Sequence, residues 1–299
     1  MRIAITGASG LVGAALVRFW RDAGHDVVAL VRRPNATSTT RTAHWDPTTG
    51  IVDPEALAGS QAVVHLAGEN IAGHRWNMAH KDRVRSSRVL GTRTLAAAIA
   101  ALPGSPPVFV CASATGFYGD RGDDILTEAS PAGAGFLPDV CRAWEEAAEP
   151  AREQGARVVS VRTGIVLARD GGALAKMLLP FRLGLGGRFG NGRQWMSWIT
   201  LEDLVLVFDR ALHDDTMHGA VNAVAPAPVR NAEFTAALAW ALHRPAFLHV
   251  PAVLLQLALG EMARPLLLAS ARVVPARLEA AGHRFRAAVL PEALQAVLQ

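Results

Sequence analysis

The stretch RIAITGASGLVG, residues 2–13, decides the fold of this 299-residue chain. It begins with an apolar run, residues 3–5, and a glycine follows soon after, which is typical of a short buried strand. Glycine then recurs at every third position, as Gly7, Gly10 and Gly13, and the apolar residues after Gly10 have the spacing of a helix that packs on a sheet. A strand that turns tightly into a helix directs N–H groups and a positive dipole end at one spot, which suits a diphosphate. The stretch therefore predicts nucleotide binding rather than an ordinary glycine-rich turn.

The composition predicts one large α/β protein with a sizeable core. Hydrophobic residues make up 51% of the chain, the mean hydropathy is +0.21 and the net charge is only +4. Because the arginines are scattered, we expect no nucleic-acid partner in spite of a pI of about 9.8. Cys111 and Cys141 lack metal-ligand spacing, so we expect no metal site and reduced thiols in a cytoplasmic protein.

Two segments bear on membranes and targeting. The chain starts with a strand and a glycine turn, which is unlike a signal peptide. The most apolar stretch, residues 246–268, is interrupted by Pro251, Glu261, Arg264 and Pro265. It is therefore predicted as a buried or interface helix rather than a membrane span, and we expect no membrane partner.

The second predicted strand, residues 26–31, indicates which dinucleotide binds. In a dinucleotide fold the end of this strand faces the adenosine ribose, where an acidic residue favours NAD. Here Val31 is followed by Arg32 and Arg33, and arginine can bind a 2′-phosphate, which favours NADP(H). The alternative is that both arginines belong to a solvated loop, which would continue into the polar residues 35–40.

Further buried strands alternate with helices, which predicts a doubly wound parallel sheet with right-handed crossovers. The predicted strands are residues 41–45, 61–66, 108–111 and 157–162. A long helix, residues 77–101, carries Arg83, Arg85, Arg88 and Arg93, of which Arg85 and Arg88 share a face.

Two loops at predicted strand ends carry candidate site residues. After residues 61–66, the small Ala67 and Gly68 would let a cofactor lie against the backbone, and the loop GENIAGHRW brings Glu69, Arg75 and Trp76. These three would contact substrate; alternatively, Glu69 and Arg75 form a surface ion pair. After residues 108–111, hydroxyl groups of Ser113 and Tyr118 lie where α/β proteins bind ligands.

The composition changes beyond Thr163, where the segment GLGGRFGNGRQWMSWI, residues 184–199, is rich in glycine. The spacing of Trp195 and Trp198 predicts that both indoles lie on one face of a strand, beside Gln194. They would either wall a substrate pocket or pack the sheet. We expect a Rossmann-like domain in residues 1–165 and a smaller substrate lobe with a helical tail in residues 166–299. Some elements of the second part are expected to complete the sheet.

The assembled motifs resemble the atypical and extended short-chain dehydrogenase/reductase superfamily. The resemblance is strongest to its small epimerase-family subgroup, NAD-dependent epimerase-like proteins with a DUF1731-type tail, and covers nearly the whole chain. The matching motifs are TGASGLVG at residues 6–13, HLAGENI at 65–71, RW at 75–76, SATGFYG at 113–119, VCRAWE at 140–145, GRQWMSWI at 192–199 and GEMA at 260–263.

The resemblance implies a Rossmann-like fold, an NADP(H) cofactor and a small-molecule substrate. It places one set of residues at the diphosphate, Gly7, Ser9, Gly10, Leu11 and Val12. It places another set along the rest of the cofactor: Val31 and Arg32 at the adenosine, Leu66, Ala67 and Arg88 behind it, and Ile165 near the nicotinamide. A homodimer is an expectation from the fold alone.

The catalytic pattern of the superfamily is absent. Its members use a Tyr-x-x-x-Lys pair, in which the lysine lowers the pKa of the acid/base tyrosine. The single tyrosine here is Tyr118, and residue 122 is glycine. Two hypotheses remain. The chain is an oxidoreductase or epimerase whose acid is Tyr118, Ser113, Glu69 or Cys141, or it binds NADP(H) without turnover as a redox sensor or partner-binding protein.

Overall fold

The computed structural model describes residues 1–33 and 40–299. The polar loop predicted at residues 35–40 therefore lies, apart from Thr40, outside the described residues. Strands in the described part are β1 (Arg2–Thr6), β2 (Asp26–Val31), β3 (Arg41–Asp46), β4 (Ile51–Val52), β5 (Ala62–His65), β6 (Val108–Ala114), β7 (Ile125–Leu126), β8 (Val158–Thr163), β9 (Ile165–Leu167), β10 (Gly187–Phe189), β11 (Trp195–Met196), β12 (Trp198–Thr200), β13 (Gly219–Ala223), β14 (Val229–Arg230), β15 (Leu248–Val250) and β16 (Arg272–Val273).

The α-helices of the same residues are α1 (Leu11–Asp22), α2 (Pro54–Leu57), α3 (Met78–Ala100), α4 (Phe136–Glu146), α5 (Glu149–Glu153), α6 (Gly172–Arg182), α7 (Leu201–His213), α8 (Asn231–Ala241), α9 (Ala252–Leu259), α10 (Ala276–Ala280) and α11 (Leu290–Leu298). Short 3₁₀ turns cover Thr115–Tyr118 and Gly260–Met262, and a π turn covers Arg264–Leu268. α4 and α5 are separate helices, since Pro150 in the first turn of α5 lacks the N–H that would continue α4.

The main sheet has the strand order β13-β8-β6-β5-β1-β2-β3-β4. The pairs β1/β2, β1/β5, β2/β3 and β5/β6 are parallel, and the terminal β3/β4 pair is antiparallel. The order reverses at β1, so β1 and β5 lie at the point where open α/β sheets bind ligands. The predicted Rossmann-like, doubly wound fold is confirmed, and β13 of this sheet comes from the second half of the chain.

The chain divides into two compact units that interleave in sequence. The first unit contains residues 1–113, 140–161 and 205–221, and the second contains 114–139, 162–204 and 222–299. The two predicted domains, residues 1–165 and 166–299, are each continuous in sequence, unlike these units. Their boundary at residue 165 stays a prediction about function.

Each unit has its own core. In the first, α3 packs its buried Leu95 and Ile99 against strand residues that include Val63 and Phe109. In the second, Trp198 is completely buried among residues of α6, α8 and α11, including Phe234 and Leu294. Burial of aromatic and branched side chains on this scale is the main stabilising term for each unit.

Candidate functional site

The glycine positions at the turn between β1 and α1 are closely surrounded by backbone. Gly7 has a φ of +69°, and a Cβ there would lie 3.0 Å from the backbone nitrogen of Ala67. A Cβ on Gly13 would lie 2.1 Å from the carbonyl oxygen of Gly7. Gly10 is the N-cap of α1 and supplies no side-chain cap to its first turn. The turn therefore fits a diphosphate, because close backbone approach and uncapped N–H groups are what such a group needs.

A buried hydrogen bond joins the ends of β1 and β5. The hydroxyl oxygen of Thr6 lies 2.7 Å from Nδ1 of His65 and accepts the backbone N–H groups of Leu66 and Ala67 at 3.1 and 3.2 Å. With both lone pairs engaged, the hydroxyl must donate its one hydrogen to Nδ1, so His65 is neutral with its proton on Nε2. Burial, and secondarily the charge of Arg88, lower the pKa of His65 to about 3. This bond fixes the turn after β1 against the loop after β5.

The end of β2 places two arginines in solvent. Val31 is half-buried, while Arg32 and Arg33 are exposed. Arg32 lies near Asp46, whose pKa is lowered first by hydrogen bonds from Thr48 and more weakly by His44 and Arg32. Within the described residues, Arg32 and Arg33 thus present positive charge where the adenosine end of a dinucleotide is expected.

Arg88 on α3 supports the loop after β5. Its Nη1 donates to the carbonyl oxygens of Glu69 and Val84, each at 3.0 Å, and its guanidinium carbon lies 5.0 Å from the ring centre of Trp144. A Cβ on Gly68 would lie 3.3 Å from the same carbon, so glycine lets the guanidinium pack under the loop. Burial lowers the pKa of Arg88. A direct contact with cofactor stays a prediction.

The end of β6 carries a hydroxyl–carboxylate pair. Ser113 is 4% exposed, and its Oγ donates a 2.6 Å hydrogen bond to Oε1 of Glu145 on α4. Both residues belong to the first unit. Cys141, one helical turn before Glu145, is buried. A buried hydroxyl aimed at a carboxylate can pass a proton to it, which is the chemistry that acid/base catalysis requires.

The polar loop after β5 contacts α3 and is braced by Trp76. The carboxylate of Glu69 lies 4.0 Å from Nε of Arg83 on α3, which makes an ion pair between the loop and the helix. Arg75 is exposed, whereas Trp76 is only 9% exposed and donates its indole N–H to the carbonyl oxygen of Ile71. Trp76 therefore holds the loop together, and a substrate contact for these residues stays a prediction.

Tyr118 is completely buried in the second unit. Its hydroxyl donates to Oδ1 of Asn222 at 2.7 Å and accepts from Nη1 of Arg162 at 3.0 Å. The guanidinium of Arg162 also lies 3.4 Å from the ring centre of Phe117. Burial raises the pKa of Tyr118, although Arg162 partly opposes this. These contacts favour a structural role, and catalysis by Tyr118 is an untested prediction.

The expectation that Trp195 and Trp198 share one face of a strand is wrong. Three positions separate them, an odd number, and the strand is broken at Ser197 into β11 and β12. Trp198 is completely buried and donates its indole N–H to the carbonyl oxygen of Ala227. Trp195 is half-buried, with the guanidinium carbons of Arg230 and Arg272 at 4.6 and 4.4 Å from its ring centre.

Two other predicted residues of the second unit have structural contacts. Gln194 is 7% exposed and donates from its amide to the carbonyl oxygens of Phe189 and Leu267. Ile165 is half-buried at the start of β9, where it pairs with Trp198. Contact of Gln194 with substrate, and of Ile165 with the nicotinamide, stay predictions.

Comparison with known proteins decides the family. The model of the NAD dependent epimerase/dehydratase family matches residues 3–223. The chain belongs to the NAD dependent epimerase/dehydratase family. A second model, a domain of unknown function (DUF1731), matches residues 250–297 of this epimerase-family chain.

Three relatives illustrate the similarity. An epimerase family protein of Mycobacterium tuberculosis is 45% identical over 98% of this chain and 96% of its own length. The crystal structure of human epimerase family protein SDR39U1 (isoform 2) with NADPH is similar with a TM-score of 0.90 and 35% identity, over 99% of each chain. A nucleoside-diphosphate sugar epimerase from Corynebacterium glutamicum has a TM-score of 0.80 and 40% identity, over 98% of this chain and 57% of that one.

Sequence reasoning missed Glu145 and the bond between Thr6 and His65. Thr6 and His65 are the last residues of adjacent parallel strands. The signal in the sequence was a polar residue at the carboxyl end of each of two otherwise apolar runs, which could have indicated their contact. Glu145 was recognised only as part of the VCRAWE motif. Its partner Ser113 is 32 positions away, and nothing local in the sequence connects them.

Two absences hold for the described residues of this epimerase-family chain. No group of three or more His, Cys, Asp or Glu side chains there could hold a metal ion. Among the helices of the same residues, none has both the length and the apolar character needed to cross a membrane.

Proposed function

We propose that this epimerase-family chain binds NADP(H) and catalyses oxidoreduction or epimerisation at a carbonyl or hydroxyl carbon of a sugar-nucleotide-type substrate. The observation that carries the proposal is the turn at Gly7 and Gly13, where any side chain would collide with backbone and where the α1 N–H groups have no side-chain cap. Arg32 and Arg33 favour the phosphorylated cofactor. The human relative's complex with NADPH, and the Corynebacterium relative's name, support the cofactor and the substrate class respectively.

NADP(H) would supply or accept the hydride, so the chain itself must move only a proton at the substrate oxygen. Because the hydrogen of Ser113 is directed at Glu145, the remaining lone pairs of Oγ can accept a hydrogen bond from a substrate hydroxyl. During oxidation the substrate O–H bond breaks, its proton passes to Oγ, and the original Ser113 proton passes to Glu145. During reduction the same two transfers run in reverse.

A second function, binding of NADP(H) without turnover, is favoured by one observation. The only tyrosine of the chain is buried with both of its hydrogen-bonding roles engaged, and the Tyr-x-x-x-Lys pair is absent. In either case we place the protein in a reducing, cytoplasmic compartment, because Cys111 and Cys141 are thiols rather than a disulfide.

The decisive experiment measures binding and turnover on the same preparation. Calorimetry with NADPH and NADH gives cofactor affinity and preference, and mass spectrometry identifies any nucleotide released on denaturation. Steady-state assays then follow NADPH absorbance, and chromatography follows isomers of nucleoside-diphosphate sugars. We expect tight NADPH binding and turnover of at least one substrate. Tight binding without turnover across the panel would support the sensor, and absence of NADPH binding would refute both functions.

A further inference from the structure

The second unit exposes a large set of apolar side chains in two neighbouring segments. One segment is the end of α6 and the loop after it, with Leu179, Leu183 and Leu185. The other is α9, with Val253, Leu254 and Leu257. All six side chains are between 55% and 69% exposed.

Two aromatic side chains extend this set. Trp240 at the end of α8 is 57% exposed, and Phe247, which precedes β15, is 79% exposed. The largest apolar patch on a typical monomer covers only ~300–600 Å², so eight exposed apolar side chains on neighbouring segments are an unusual concentration. Exposed apolar side chains grouped in this way mark an interaction site.

Contacts between the segments place them side by side, and we call their eight exposed apolar side chains the apolar face. β10 pairs with β15, with Gly187 opposite Leu248. Nε of Arg244 donates to the carbonyl oxygen of Arg182 at 3.1 Å, which ties the end of α6 to the loop after α8. A Cβ on Gly190 would lie 3.9 Å from the Cβ of Ala252, the first residue of α9.

The segments that carry the apolar face contain basic but no acidic residues. Residues 171–201 and 234–260 lack aspartate and glutamate, and the acidic side chains nearest in sequence, Asp170, Glu202, Glu233 and Glu261, lie just outside these ranges. The same residues contain five exposed basic side chains: Lys176, Arg182, Arg188, Arg193 and Arg244. A second copy bound to this face about a two-fold axis would bring two such basic rims together, which is unfavourable.

We propose that the apolar face docks on an anionic lipid surface. Leucine and valine side chains would enter the acyl boundary, Trp240 and Phe247 would lie at the headgroup level, and the basic rim would attract negative headgroups. This differs from a membrane span, and it revises the sequence-based expectation of no membrane partner. The inference is independent of the proposed catalytic function.

Vesicle co-sedimentation of the full chain tests it. We expect binding to vesicles that contain phosphatidylglycerol, weaker binding to phosphatidylcholine alone, and release by salt. The double variant Leu254→Glu/Leu257→Glu should lower the partition coefficient about tenfold or more, because it removes the inserted apolar groups. Arg188→Gln should lower it about fivefold.

The matched control is Ile51→Glu/Leu90→Glu, which adds the same charges at exposed apolar positions of the first unit and should leave vesicle binding unchanged. Circular dichroism and NADPH titration of each variant report folding. Absence of wild-type binding to both vesicle types would overturn the proposal. So would a dimer in gel filtration that Leu254→Glu/Leu257→Glu dissociates, since the face would then join two copies of this chain.

Discussion

The Oγ of Ser113 and the Oε1 of Glu145 are 2.6 Å apart, with the hydroxyl as donor. β6 and α4 bring them together from positions 32 residues apart in the sequence. A short bond from a hydroxyl to a carboxylate is charge-assisted and roughly twice as strong as one between neutral groups. In the proposed function, this pair is the route for a proton, and it does not need the missing tyrosine and lysine.

Glu145→Gln should lower the turnover rate about 100-fold or more, since the amide cannot take up the proton that Ser113 passes on. NADPH affinity should not change, because Glu145 is proposed to act on the substrate oxygen. Ser113→Ala should cause a similar loss, and the double variant should be no worse than either single variant. Steady-state kinetics and calorimetry measure both quantities.

The control for this prediction is Glu146→Gln, which changes the next, exposed carboxylate of α4 and should retain the full rate. A Glu145→Gln enzyme with the wild-type rate would exclude the proposed proton route.

Arg32→Glu should weaken NADPH binding about 10- to 100-fold, the usual range for losing a hydrogen bond to a charged group. NADH affinity should stay constant or rise, because glutamate can accept from the ribose hydroxyl. Calorimetry with both nucleotides measures the ratio. Arg93→Glu, an exposed arginine on α3, makes the same charge change elsewhere and should leave the ratio as it is. An unchanged NADPH affinity in Arg32→Glu would show that Arg32 belongs only to a solvated loop.

Tyr118→Phe should reduce the free energy of unfolding by about 1–3 kcal/mol and leave NADPH affinity and turnover intact. The change removes the partner of both Asn222 and Arg162 in a buried position. Urea unfolding gives the first quantity, and kinetics give the others. The opposite pattern, normal stability with lost turnover, would identify Tyr118 as the acid.

The sequence predicted the strands and the glycine turn because both depend on neighbouring residues. Apolar runs ending in glycine marked β1 and the strands that follow it, and their number implied the parallel sheet. The contacts of single side chains depend on tertiary structure. Tyr118 and Asn222 are 104 positions apart, and only the folded chain shows that the hydroxyl is buried between Asn222 and Arg162. Trp198 was ambiguous for the same reason, since an indole beside a glycine-rich loop has the same pattern whether it lines a pocket or fills a core.

The neutral, buried His65 should make the protein lose stability as the pH falls below about 6.5. Its pKa is about 3 in the folded chain and 6.5 for a histidine side chain exposed to water, so between these values the unfolded chain binds a proton that the folded chain does not. Stability therefore falls with falling pH in this window, and at pH 5 this residue alone should cost about 2 kcal/mol relative to pH 7. The matched variant is His65→Gln, which does not titrate, so its free energy of unfolding should fall less between pH 7 and pH 5 by that amount. Urea unfolding of both proteins without nucleotide measures the difference. An identical pH dependence would mean that His65 takes up its second ring proton as readily in the folded chain as in the unfolded chain.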